Sequence, residues 1–177
     1  MLSMHPVRRL LLFIPVFALV AWPVFAADLQ TASENSVRAV LLYNFLTFAD
    51  LPGNGDGQKP LRICVAARDP ELLVAMERLQ DRQVRGRPLS VQGFRPDLHC
   101  DAIYLDSRAR WQAMSEGPVA PRALTVGFYP GFVEDGGIVE VGFQDGRARF
   151  DINLAAARRA GIRLYPQLLR LARRVLE

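Results

Sequence analysis

The chain has 177 residues, half of them hydrophobic and 23% charged, with a formal net charge of +4. That length fits one compact domain rather than several. The positive excess is carried by arginine, since Lys59 is the only lysine, and the arginines are spread along the sequence, which argues against a nucleic-acid binder.

Residues 1–26 read as a secretory signal peptide. Arg8 and Arg9 form the charged region, Leu10 to Val20 the apolar region, and Val24-Phe25-Ala26 the cleavage site. The apolar run is interrupted by Pro15 and Pro23 and falls short of the ~20 residues a bilayer span needs. No cysteine follows the site, against a lipoprotein anchor. The expected product is an exported domain, residues 27–177, cleaved after Ala26.

Thr31 and Glu34 fit a capping box, and Val37, Val40, Leu41, Phe45 and Phe48 recur at helical spacing as the expected core face of a first helix. Leu51 to Gly57 is a loop without the Gly-Lys-Ser/Thr ending of a phosphate cradle. A strand over Leu61 to Ala67 leads to Asp69-Pro70, an N-cap with proline at N1, opening a helix to about Gln80. Gln83 to Val91 reads as two short extended pieces around Gly86, with Pro88 arguing for an edge position. The strand Ala102 to Leu105 follows, then Ser107 as the cap of a short helix containing Trp111 and Met114, with Gly117-Pro118 as its stop. Ala123 to Gly127 is the next strand. After the Asp135-Gly136-Gly137 turn, Ile138 to Phe143 and Arg147 to Ile152 pair as a hairpin across Asp145-Gly146. Asn153 caps a helix over Leu154 to Ala160 that Gly161 closes, with arginines in its last turns. A second helix is expected after Pro166, with Leu168, Leu169, Leu171, Ala172, Val175 and Leu176 as its apolar stripe. Strand alternating with helix is the pattern of right-handed parallel crossovers. The expected fold is α/β: a single three-layer domain, its mixed, mostly parallel sheet covered by helices on both faces and ending in an antiparallel C-terminal hairpin.

A hydrolase needs a base oriented by a third group, and a zinc site needs three or four ligands. Beyond the leader the chain has one histidine, His99, which reads as a surface residue at a strand entry. Glu134, Asp135 and Asp145 fall in turn sequences. No catalytic residue, metal site or cofactor is expected. Cys64 and Cys100 are the only cysteines, and an even pair in an exported chain reads as a disulfide, with two buried thiols as the alternative. If their strands are neighbours, the α-carbons come within the ~6 Å that a bridge requires. Phe128, Tyr129 and Phe132 lie in an aromatic loop just past a strand end, where ligands bind in open α/β sheets. With Tyr43 of the first helix they are the candidate partner or ligand surface, against the alternative that they close the core.

Two blocks carry a family resemblance. One comprises Gly136-Gly137-Ile138, Asp145 through Gly161, and Leu168 to Arg173; the other is Val37 to Phe48. Jointly they resemble the YfiR family of small periplasmic proteins, over nearly all of residues 27–177. The family usually has an aromatic before Pro52, where this chain has Leu51. The resemblance implies a bridge between Cys64 and Cys100, and this chain lacks the second cysteine pair of some members. It also implies a periplasmic repressor that binds the periplasmic sensor domain of an inner-membrane diguanylate cyclase. An outer-membrane lipoprotein would sequester it, raising cyclic di-GMP and biofilm formation, and a second copy of the chain is a further candidate partner. The alternatives are a periplasmic small-molecule sensor that uses Phe128 to Phe132 and acts on another membrane signalling protein, and an enzyme of unfamiliar type.

Overall fold

The computed structural model describes residues 25–52, 59–116 and 122–177. Nearly all of the expected leader, the loop Gly53 to Gly57 and the Gly117-Pro118 stop lie outside the described residues. In chain order the elements are α1 (Phe25–Thr47), β1 (Ala49–Asp50), β2 (Leu61–Ala66), α2 (Pro70–Glu77), β3 (Gln83–Val84) and β4 (Arg87–Gly93). They continue with β5 (Ala102–Leu105), α3 (Arg108–Ser115), β6 (Leu124–Gly127), β7 (Val139–Gln144) and β8 (Arg147–Asn153). Last come α4 (Leu154–Arg159), β9 (Arg163–Leu164), α5 (Pro166–Leu169) and β10 (Arg174–Leu176).

Eight strands form the main sheet in the order β10-β8-β7-β6-β5-β2-β4-β3, and β1 pairs with β9 in a separate two-stranded ribbon. The run from β4 through β2, β5 and β6 to β7 is parallel, while β8 and β3 are antiparallel to their inner neighbours. From β2 the chain first steps outward to β4, then returns past β2 to β5 and onward. The direction of winding therefore reverses between β2 and β5.

Side chains alternate across the sheet, as the pleat requires. Ile63 and Val65 of β2 face a core shared with α1, α2 and α4, where Leu42, Phe45, Leu46, Leu72 and Met76 are buried. Cys64 and Ala66 face the other side, with Trp111 of α3, Tyr129 and Phe132. The expected three-layer α/β fold is the one observed.

Several local signals act as their chemistry dictates. Asp69 accepts from the Glu71 amide and Asn153 from the Ala156 amide, each satisfying a helix-terminal donor. Gly161 takes φ of 73° just past α4. Asp145 and Gly146 take φ of 51° and 69° in the two-residue turn between β7 and β8.

Other expectations are corrected. Helix α1 begins at Phe25, so Thr31 lies inside it rather than at its cap; Ala26, Ala27, Leu29 and Gln30 are good helix formers with no breaker among them. Its buried face is set by Asn35, Ala39, Leu42, Phe45 and Leu46, whereas Val37 and Val40 are exposed by 38% and 52%. A segment apolar on nearly all sides leaves the phase of the helix undetermined; in the structure Asn35 faces inward and donates to Asp69. Pro88 lies one strand in from the edge, because β3 adds a two-residue rim outside it. The helix expected after Pro166 stops at Leu169. The chain then turns into β10, parallel to β8, and Leu171 is left 71% exposed.

Candidate functional site

In open α/β sheets the crevice for ligands opens beyond the carboxyl ends of the strands where winding reverses. Here that place lies past β2 and β5, and α1 runs across it. The Asn35 side-chain amide donates to Asp69 Oδ2 at 2.9 Å, while Asp69 Oδ1 caps α2. The bond from Asn35 outweighs desolvation and holds the Asp69 carboxyl below its ordinary range. One turn further along α1, Arg38 reaches over the strand ends. Its guanidinium lies 5.1 Å from the Phe128 ring centre and 5.8 Å from that of Phe143. Nη1 donates to the Tyr104 hydroxyl at 3.5 Å, and Nη2 lies 3.6 Å from Glu34. Nε is buried with no hydrogen-bond partner among the described residues.

Tyr104 is fully buried at the end of β5 and stacks on Phe128 with ring centres 4.8 Å apart. Burial pushes its phenol well above the usual value, so it stays neutral. Asp106 follows, accepting from the Arg68 amide at 2.7 Å and lying 3.1 Å from Arg110 Nε one turn into α3. The crevice is thus occupied from within: a cation from α1 lies against Phe128 and Phe143, with the Glu34 carboxylate beside it. Nothing in this arrangement pairs a nucleophile with a base.

A cleft of about 380 Å³ opens at the opposite, amino-terminal end of the strands, lined by Pro52, Lys59, Pro60, Arg62, Arg87, His99 and Asp101. Arg87 is buried there, donating from Nε to the Lys59 carbonyl at 2.8 Å. Asp101 accepts from the Arg62 amide at 2.8 Å, locking β5 to β2. His99 is exposed, with Nε2 4.0 Å from Asp101 Oδ1.

The aromatic residues singled out from sequence fall in three places. Phe128 is half-buried under Arg38 at the crevice. Tyr129 and Phe132 lie on the other face of the sheet, edge-to-face at 5.3 Å. Phe132 is fully buried, with Trp111 edge-on at 5.1 Å, and its ring fills the space above Gly127 and Gly137, so it closes the core instead of forming a surface. The Tyr129 hydroxyl donates to Asp135 Oδ2 at 3.0 Å, beside Arg108 Nε at 2.8 Å. Tyr43 is at the far end of α1, where its hydroxyl donates to the Gln83 carbonyl on edge strand β3. Reading the sequence for aromatics misses Arg38, Asn35 and Asp69. Asp69 and Asp106 stand just past the ends of β2 and β5, and that placement is the signal that marks them.

Cys64 and Cys100 are bridged, with α-carbons 5.9 Å apart across a sequence separation of 36, and both are buried. No group of three or more His, Cys, Asp or Glu that could hold a metal ion occurs among the described residues. None of their helices is long and apolar enough to cross a membrane.

Fold and crevice define a doubly wound α/β domain with its switch point filled by its own first helix. The YfiR/HmsC-like family model matches residues 35–173, and the chain belongs to that family. No curated protein matches the sequence. Among solved structures, a conserved domain protein from Vibrio cholerae O1 biovar eltor is similar at 16% identity and a TM-score of 0.48, covering 80% of this chain and 60% of its own. An ABC domain from Streptococcus pneumonia, solved in complex with L-Trp, is similar at 13% identity and a TM-score of 0.46, covering 67% of this chain and 56% of its own. The chain thus spans less than two thirds of either structure's length.

Proposed function

We propose that this protein is a periplasmic regulator that binds the periplasmic sensor domain of an inner-membrane diguanylate cyclase and holds the enzyme inactive. The observation that carries this reading is the family match over residues 35–173. The physical character of the domain supports it. The crevice where a doubly wound fold would take a small ligand is occupied by Arg38, and the buried Cys64–Cys100 bridge suits an oxidising compartment. Such a protein passes its signal through competing contacts, with an outer-membrane lipoprotein drawing it away from the cyclase.

Deleting the gene is expected to raise cyclic di-GMP and surface attachment, and restoring it in trans to lower both. Cyclic di-GMP measured in extracts of the two strains decides the matter, and an unchanged or lowered level in the deletion strain refutes the inhibitor role. A small-molecule sensor acting on another membrane protein is the second reading. It requires Arg38 to leave Phe128 and Tyr104, since the guanidinium occupies the space a ligand would take.

A further inference from the structure

The fold brings Arg163 to the same place as Arg82 and Arg85, from which the sequence keeps it far apart. Arg82 lies with its guanidinium 4.3 Å from the Tyr43 ring centre, and Arg85 lies 4.5 Å from that of Tyr165. Arg163 of β9 donates to Asp50 Oδ2 at 2.6 Å, and Arg85 is 3.5 Å from the other oxygen of that carboxylate. The elements are tied together by the bond from the Tyr43 hydroxyl to the Gln83 carbonyl and by the pairing of β1 with β9. Two guanidinium groups thus share one aspartate, and a third lies over Tyr43, on a surface beside the β3 edge.

The backbone adds an independent observation. Three described residues other than glycine have positive φ, and two are aspartates, Asp81 and Asp145, a type that tolerates this region. The third is Arg85, with φ of 53°, at the first turn position of the β3–β4 hairpin ahead of Gly86. Asparagine, aspartate or glycine is the favoured residue there. A strained conformation carrying a long cation points to a side chain kept for contact rather than for the turn.

We propose that Arg82, Arg85 and Arg163, set among Tyr43 and Tyr165, form a docking surface for an acidic segment of a protein partner. This deepens the regulatory reading and rests on it. Arginine over tyrosine is the composition of binding hot spots, and guanidinium groups held at fixed points fit discrete carboxylates. A membrane surface would be served as well by mobile lysines, of which the chain has one.

The test uses the bridged protein, residues 27–177, and a fluorescent twelve-residue peptide of alternating Asp and Ser, read by anisotropy at low salt. The wild type should bind, and Arg82→Gln/Arg85→Gln should weaken binding roughly five- to tenfold. Arg147→Gln/Arg149→Gln, which removes the same charge from the distant β8 hairpin, should not. Arg85→Asn separates contact from structure: it relaxes the turn, so it should melt at the same temperature or higher while binding less well. The proposal is overturned if the wild type ignores the peptide, if both double variants weaken alike, or if Arg85→Asn binds the peptide as tightly as the wild type. Preference for phosphatidylglycerol vesicles over the peptide also overturns it, in favour of a membrane. The peptide assay needs no cyclase, so its result stands apart from the deletion strain. If that strain shows no rise in cyclic di-GMP, the inhibitor reading alone fails.

Discussion

A single ring fixes the α3 side of the core. Phe132 lies so close to Gly127 and Gly137 that a Cβ on either would sit 2.3 and 2.2 Å from its ring atoms. Neither glycine has a positive φ, so the requirement is space rather than backbone freedom. Gly137→Ala should push Phe132 out of contact with Trp111 and Tyr129 at a cost of about 1–3 kcal/mol, read as a lowered midpoint in urea. An unchanged midpoint would show that the ring has room to move. From sequence alone Phe132 is indistinguishable from its half-exposed neighbour Phe128. Both sit in one aromatic loop, and only Gly127 at the end of β6 and Gly137 just before β7 show which of them goes inside.

Among the elements, the C-terminal strand is held by charge more than by apolar contact. Asp151 of β8 is buried, and it accepts from Arg173 at 2.8 and 2.7 Å and from Arg174 at 3.1 and 2.9 Å. Arg174 also bonds Glu134. The bond from Arg173 is the largest of the effects that hold the Asp151 carboxyl below its ordinary range. A carboxyl with a folded pKa below its unfolded one contributes stability that is complete above about pH 4 and disappears as pH falls through the folded value. Asp151→Asn should therefore cost on the order of 1–3 kcal/mol at neutral pH. The gap in melting temperature between variant and wild type should narrow below about pH 4; a constant gap would show that the carboxylate charge is not what matters.

The same contacts explain why this strand was not legible. Leu168 to Leu176 has a helical apolar spacing, and local periodicity contains nothing of Asp151, which sits more than twenty positions away. Where every partner is local, as in the Asp145-Gly146 turn or the Asn153 cap, the sequence reading and the structure coincide. The two extended pieces around Gly86 were readable as β3 and β4, whereas the ribbon of β1 with β9 is too short to carry any periodicity.

At the scale of the molecule, the alternation of strands and helices made the three-layer, mostly parallel sheet readable, while the order of its strands was not. The switch point between β2 and β5 exists only once β4 has gone to one side and β5 to the other. Arg38 and the arginine surface share that limit, since each is assembled from segments far apart in the chain. The bridge was accessible from compartment and count, and the parallel pairing of β2 with β5 supplies the geometry. Closing 36 residues of sequence should stabilise the domain by about 2–4 kcal/mol. Cys64→Ser/Cys100→Ser should melt lower and accumulate less in the cell, because proteolysis draws on unfolded chains. A double variant that melts like the wild type would remove the bridge's structural role.

The burial of both sulfurs also has a kinetic meaning. A small reductant meets the bond only when the layer that buries it on that face of the sheet, Phe94 and Leu98 included with Trp111, Tyr129 and Phe132, opens. The rate at which thiols appear under excess reductant therefore counts the openings of that layer, separately from unfolding of the whole. The protein carries its own clock for the breathing of one face. A partner that grips that face would slow the clock, and one that binds beside β3 would leave it running.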